Sequence, residues 1–214
     1  MIKQFEFNHF QVNCYVICDE ESRECAIVDP AMVASYEDSM LSQFIESKGL
    51  SPTLILLTHA HIDHIAGLQQ VCEHYSLPVT MHEDGAKLLR QSEIYGGIMG
   101  FAVDGEALEK IERKYINDND ILTIGQTKIE ARFVPGHCPG SMCYVVEKER
   151  SVLTGDALFH FSVGRTDLPG GDHQLLIEKI RTRLLTLPDD YAVLPGHGIG
   201  STIAKEKKYN EFLI

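Results

Sequence analysis

The chain is short of several things, and each shortage narrows what it can be. None of its 214 residues belongs to an apolar run near the ~18 residues that a membrane-spanning helix needs. The first residues, "MIKQFEFNHF", lack the basic start and continuous apolar stretch of a secretory signal. Cys14, Cys18, Cys25, Cys72, Cys138 and Cys143 show no C-x-x-C spacing and none of the density of a small disulfide scaffold. A soluble protein of the reducing cytoplasm is expected, with no membrane partner. Basic residues are also scarce: 19 Lys and Arg stand against 31 Asp and Glu, a formal net charge of -12, with no cationic cluster. Nucleic acid is therefore not an expected partner, because phosphate-backbone binding shows as a basic patch or stripe. No repeat, low-complexity tract or linker composition marks a boundary, so residues 1–214 are read as a single domain.

What is present is patterned. The opening segment alternates through "IKQFEF", "QVNCYVIC" and "ECAIVDP", which predicts a strand meander up to Pro30. Residues 35–48 place Met40, Leu41, Phe44 and Ile45 at helical spacing ahead of Gly49, a C-terminal cap. "TLILL" predicts a strand covered on both faces, and "IAGLQQVCEHYS" a helix ending before Pro78. A helix-like "DGAKLLRQ" follows, and residues 92–105, glycine-rich and aromatic without a clear period, are expected to form a loop. Strands resume at "KIEARFV", "MCYVVE" and "SVLTG". Then "DHQLLIEKIRTRLLTL" predicts an amphipathic helix capped by Asp172, before a last strand "YAVLP" and a polar helix.

Residues 58–64, "THAHIDH", crowd His59, His61, Asp63 and His64 into the junction between the buried strand and the next helix. Neutral imidazole and carboxylate are the ligands that zinc and other borderline divalent ions prefer. His59 and His61 are two apart, so they cannot share a helix face but can project together from an extended strand end. Three later strand ends supply further ligand types: His137 in "FVPGHCPGS", Asp156 in "LTGDALF" and His197 in "VLPGHG". Gly136, Gly155 and Gly196 beside them permit close backbone approach or a left-handed turn. Any one of these histidines alone would pass for a surface or core residue; together, at the ends of separate strands, they point to a metal site.

"THAHIDH", "GHCPGS", "GDALF" and "PGHG" resemble, in order, the metal motifs of the metallo-β-lactamase-fold hydrolases, over essentially the whole chain. More narrowly, "SVGRTDLPGGD" and the tail "PGHGIGSTIAKEKKYNEF" resemble the single-domain branch related to glyoxalase II, the hydroxyacylglutathione hydrolases. The resemblance implies an α/β fold of four layers, αββα, with two mixed β-sheets flanked by helices. It also implies two divalent ions, most simply zinc, with iron or manganese as alternatives. One would be held by His59, His61 and His137, the other by Asp63, His64 and His197, with Asp156 and a hydroxide bridging them. The implied reaction is attack on the acyl carbon of a small thioester. Asp63 reads either as a ligand alone or also as the acceptor of a proton. An aspartate at position 156, where many antibiotic-degrading members carry cysteine or serine, disfavours a lactamase. Asp29 in "IVDP" is either a turn residue before Pro30 or the carboxylate that orients a ligand histidine through its far ring nitrogen.

Some positions depart from the pattern. Arg165 falls where the glutathione-specific enzymes usually carry a substrate-contacting lysine, and Asp167 where they carry a tyrosine. Arg165 reads as a substrate contact or as the ion-pair partner of a carboxylate such as Asp167. No separate helical C-terminal domain is expected to complete a glutathione site, and Asn210 precedes Glu211 where a proline is usual. Cys138, beside His137, replaces a threonine and reads as a packed small residue. Persulfide dioxygenases share the fold and the "GRTD" stretch but use a single iron held by two histidines and a carboxylate, which is the competing expectation.

Overall fold

Two mixed six-stranded sheets form the centre of the computed structural model, which describes residues 1–214. The first contains, in spatial order, β1 (Ile2–Phe7), β2 (Val12–Cys18), β3 (Glu24–Val28), β4 (Ser51–Leu56), β5 (Val79–Met81) and β6 (Arg113–Tyr115). It is antiparallel from β1 to β3 and parallel from β3 to β6. The second sheet uses β7 (Ile121–Ile124), β8 (Thr127–Phe133), β9 (Met142–Val146), β10 (Ser151–Gly155), β13 (Ala192–Pro195) and β14 (Ser201–Thr202), with β10 and β13 parallel and the rest antiparallel. A small hairpin, β11 (Leu158–Phe159) with β12 (Ser162–Val163), hangs beyond β10.

Alternation along the strands sorts the apolar side chains into layers. On β2, Val12, Cys14, Val16 and Cys18 turn to one face and Tyr15 and Ile17 to the other, the period of a strand buried on both sides. The first set packs with Ile55 and Leu57 beneath α1 (Ser35–Ser47), α2 (Ile62–Ile65), α3 (Leu68–Tyr75) and α4 (Ala86–Met99). Tyr15 and Ile17 instead meet Met142, Tyr144, Val146 and Leu153 of the facing sheet. The outer face of the second sheet, with Cys143, Val145, Val152 and Val193, is covered by Leu176 of α6 (His173–Lys179) and Ile203 of α7 (Ile203–Tyr209). A short α5 (Gly105–Lys110) lies beside α4. The layers are helix, sheet, sheet, helix, as the motifs imply. Each fully buried large apolar side chain in them contributes roughly 1.5 to 3 kcal/mol.

Three local expectations are corrected. The expected loop at 92–105 is helical as far as Met99 and again from Gly105. Gly96 lets α4 approach its neighbours: an added Cβ would lie 2.9 Å from Val103 and 3.1 Å from the Phe101 carbonyl, so packing outweighs the glycines' poor helix propensity. The expected single helix after "THAHIDH" is split into α2 and α3. Gly67 breaks it by donating its N–H to the Pro30 carbonyl at 2.9 Å, where any Cβ would crowd Met32. Asp172 caps α6 as expected, accepting from the Leu175 N–H at 3.0 Å, but Ile180–Leu184 continues as a wider π-type turn. Leu176, Ile180 and Leu184 recur every fourth residue, a spacing longer than the 3.6 of an α-helix, and the wider turn keeps them aligned on the sheet.

The parallel relations send the ligand-type residues to one rim. Asp29 follows β3, His59 to His64 follow β4, His137 follows β8, Asp156 follows β10 and His197 follows β13. Across the rim the sheets are tied by the Met142 N–H to the Thr58 carbonyl at 2.7 Å and by the Tyr144 hydroxyl to the Leu57 carbonyl at 2.6 Å. All six cysteines are unpaired and buried, and no helix is long and apolar enough to cross a membrane.

Candidate metal centre

Local backbone geometry aims the side chains. Asp29 takes a left-handed φ of 51°, which folds its carboxylate back onto the end of β4 to accept from the Thr58 N–H at 2.7 Å and the Thr58 hydroxyl at 2.6 Å. His61 occupies the N-cap of α2 in extended conformation, so Asp63 and His64 lie in the first helical turn, with the His64 ring 4.1 Å from that of His59. Gly155 adopts φ 47° directly before Asp156, and a Cβ there would meet the Thr58 hydroxyl at 2.5 Å. Close approach is just as strict at Gly196, where a Cβ would fall 2.3 Å from Asp156 Oδ1 and 2.8 Å from His64 Cε1. All seven residues picked out by the motifs converge at this rim: His59, His61 and His137 on one side, Asp63, His64 and His197 on the other, with Asp156 reaching both.

The hydrogen bonds behind the rings fix where their lone pairs point. His137 Nδ1 donates to the Arg165 carbonyl at 2.8 Å, and His197 Nδ1 to the Phe10 carbonyl at 2.9 Å. His64 Nδ1 faces Asp29 Oδ2 at 2.9 Å. The Thr58 hydroxyl hydrogen is committed to Asp29, so His59 Nδ1, 3.0 Å away, is the donor to Thr58. In each ring the hydrogen of a neutral imidazole is thus spent outward, and Nε2 offers a lone pair inward. Ring nitrogens crowd one another here: His64 Nε2 lies 3.2 Å from His197 Nε2, and His137 Nε2 lies 2.9 Å from His61 Nδ1. His59 Nε2 and Asp156 Oδ1 are buried without any hydrogen-bond partner. Buried polar atoms almost always have partners, so converging donor atoms and orphaned acceptors fit a bound cation.

The carboxylates complete the set. Asp156 Oδ1 is 3.3 Å from His64 Nε2, while Oδ2 faces His137 Nε2 at 3.7 Å and His197 Nε2 at 3.5 Å. Asp63 Oδ2 approaches His197 Nε2 at 3.3 Å. Burial opposes charge on Asp156, but the adjacent His64 outweighs it and holds the carboxyl far below its usual range. Asp63 is likewise held low, His64 and His197 overcoming its burial. Among the imidazoles the two sides differ. Burial and the neighbouring His137 push His61 down to about 4, and burial with its histidine neighbours depresses His59 strongly. His64 goes the other way, because Asp156 and Asp63 outweigh its burial and draw positive charge to that position.

A cavity of about 360 Å³ opens in front of the cluster, with His61, Asp63, His137, Asp156 and His197 in its floor. Arg165 lines it too, and its guanidinium makes paired hydrogen bonds to Asp167 at 2.7 and 2.8 Å, the ion pair that was one of its two expected roles. Asp29 sits behind His64, orienting it rather than serving as a turn residue alone. Cys138 is buried against the Ser141 hydroxyl at 3.3 Å, and burial pushes its thiol up to about 12, so it packs as a neutral side chain. Several contributors carry no sequence signal. The Phe10 and Arg165 carbonyls act through backbone atoms. Asn8 Nδ2 donates to the Asp63 carbonyl at 2.9 Å. Asn13 and Tyr15 of β2 both donate to the Pro195 carbonyl, at 2.9 and 2.7 Å, holding the turn that carries His197.

The chain resembles known proteins along nearly its whole length. A probable metallo-hydrolase of Bacillus subtilis, YqgX, is 38% identical over 95% of this chain and 92% of its own. The hydroxyacylglutathione hydrolase GloC of Haemophilus influenzae is 35% identical over 95% and 93%. Among solved structures, the B3 metallo-β-lactamase BLEG-1 superposes with a TM-score of 0.87 at 34% identity, covering 100% of this chain and 99% of that one. TTHA1623 in a di-iron-bound form gives 0.85 at 30%, covering 99% and 100%. ETHE1 from Myxococcus xanthus gives 0.80 at 26%, covering 99% and 83%. The sequence model of the metallo-β-lactamase superfamily matches residues 8–197, a span that contains every one of the converging side chains, and the protein belongs to that superfamily.

Proposed function

We propose that the protein is a dinuclear metal-dependent hydrolase of small acyl thioesters, acting as a single domain in the cytoplasm. The observation that carries this reading is the placement of Asp156, whose carboxylate lies between the two histidine groups, Oδ2 facing His137 of one and His197 of the other while Oδ1 faces His64. His59, His61 and His137 would hold one ion and Asp63, His64 and His197 the other, with Asp156 shared. Two divalent ions, when bound, lower the pKa of a coordinated water from about 15.7 to about 7 and polarise an acyl oxygen. Zinc suits the ligand set, and iron and manganese fit it as well. The similarity to a hydroxyacylglutathione hydrolase supports thioester chemistry.

The chain's own residues supply the rest. Asp156 and Asp63 remain ionised because the surrounding imidazoles outweigh their burial. Asp63 lines the cavity and is placed to take up the proton released from water during attack. Asp29, Thr58 and the Phe10 and Arg165 carbonyls hold the rings in one tautomer, so the donor set needs no reorganisation.

Metal content per chain, measured beside turnover of S-lactoylglutathione and oxygen uptake with glutathione persulfide, tests the proposal. Two ions and thioester cleavage are expected. One iron with oxygen uptake would overturn it in favour of the persulfide dioxygenase reading.

A further inference from the structure

The wall of the cavity away from the ligand cluster has no role so far. Leu88, Ser92, Tyr95 and Met99 recur at helical spacing on α4 and turn one face to the cavity, and Phe10 and Leu168 extend the same lining. The Ser92 hydroxyl is spent within the helix, donating to the Leu89 carbonyl at 2.6 Å. Arg165 is the only lysine or arginine in the lining, and Asp167 neutralises it through two hydrogen bonds. Arg90 of α4 does not line the cavity and pairs instead with Glu109 of α5 at 3.3 Å.

A glutathione moiety brings two carboxylates and one ammonium, a net negative charge at neutral pH. Taking such a group out of water requires cationic partners, and this cavity offers one, already paired. The formal charge of -12 on the chain adds a repulsive field. An apolar lining with a few polar groups converging at one end is the design of a site for an uncharged chain with one reactive group.

We infer that the substrate is a thioester whose chain beyond the reacting carbonyl is uncharged and apolar, aliphatic or aryl, rather than a glutathione thioester. This rests on the hydrolase reading above and narrows it. In the reaction the oxygen of water bonds to the acyl carbon and the carbon–sulfur bond breaks. The sulfur leaves with the bonding pair and takes up a proton from the attacking water, so a carboxylate, a thiol and one released proton result.

The test uses the metal-loaded protein and compares kcat/KM for S-lactoylglutathione with that for hexanoyl-N-acetylcysteamine, whose thiol part carries no charge. The neutral substrate is expected to be favoured by roughly tenfold or more. Asp167→Asn, at the exposed rim, frees Arg165 and should lower KM for S-lactoylglutathione about two- to fivefold while leaving KM for the hexanoyl thioester unchanged. Met99→Lys places a cation on the apolar wall and should shift the ratio toward the glutathione thioester. A wild-type preference for S-lactoylglutathione would overturn the inference while leaving the hydrolase reading standing. Absence of turnover of both thioesters above the metal-free protein would remove the hydrolase reading itself.

Discussion

The Nε2 atoms of His64 and His197 face each other at 3.2 Å, although each ring already presents its Nδ1 to an acceptor, Asp29 in one case and the Phe10 carbonyl in the other. Two such nitrogens repel unless a metal ion or a proton lies between them, and a proton satisfies this one contact while leaving the His59 Nε2 without a partner. Chelation should therefore destabilise the fold and not only silence activity. At free metal about 100-fold above Kd the linkage is roughly 2.7 kcal/mol. For a chain of this size that corresponds to a Tm drop of roughly 5 to 10 °C. Calorimetry before and after exhaustive chelation measures it, and an unchanged Tm on loss of metal would contradict the argument.

Asp29 receives three donors, two from Thr58 and one from His64. Asp29→Asn keeps the size but replaces one acceptor oxygen with an NH₂ group, which confronts either the Thr58 N–H at the Oδ1 position or the Thr58 hydroxyl and the His64 ring together at the Oδ2 position, and removes the charge behind His64. Metal affinity should fall roughly 10- to 100-fold, as is typical when the partner behind a ligand histidine is lost. A competition titration against a chromophoric chelator reads this directly, and near-native affinity would mean that His64 needs no orientation.

Gly196→Ala should empty the centre without unfolding the chain. The residue's φ is not left-handed, so the backbone accepts alanine, but the new methyl would fall 2.3 Å from Asp156 Oδ1 and 2.8 Å from His64 Cε1. Overpacking of this kind costs about 1 to 3 kcal/mol, which corresponds to a fall in metal affinity of roughly 5- to 150-fold. Circular dichroism should stay native while metal per chain drops. Full metal occupancy would show that the rim yields more easily than its contacts suggest.

Asp19 predicts a pH-dependent stability unrelated to the metal. Its carboxylate accepts from the Ser22 and Glu21 N–H groups at 3.0 and 3.1 Å, and from the Thr127 hydroxyl at 2.7 Å, tying the β2–β3 turn to the β7–β8 turn. The bond from Ser22, then that from Thr127, hold it well below the usual carboxylate range. A depressed folded pKa stabilises fully above the unfolded value of about 3.9 and is lost as pH falls toward the folded one. Asp19→Ala should therefore lower Tm at pH 7 by several degrees, with the gap to wild type closing progressively below about pH 4. A gap independent of pH would show that the carboxylate's charge plays no part.

The residues that converge at the rim were legible because their chemistry is carried by side chains: His59, His61, Asp63 and His64 sit close in sequence, and His137, Asp156 and His197 each follow a strand and sit beside glycine. The strands that deliver them were legible for the same reason, since β4, β8, β10 and β13 advertise burial through apolar alternation or continuous runs. The cavity wall was not. Leu88, Ser92, Tyr95 and Met99 have helical spacing, but Gly96 and Gly97 interrupt it, and only the packing of Gly96 against Val103 and Phe101 shows why the helix continues. Nor could the Phe10 and Arg165 carbonyls be read, because every residue has a carbonyl and only the fold selects which one meets an imidazole.

The bonds from Asn13 and Tyr15 to the Pro195 carbonyl join the second strand of the chain to its last ligand loop. They set an order of events during synthesis. While the ribosome is still making the second sheet, "THAHIDH" can offer a metal only loose and incomplete coordination. On the proposed ligand set, full closure would wait until His197 has emerged and docked against a segment made almost at the outset, and tight capture of metal would mark the end of folding rather than its beginning.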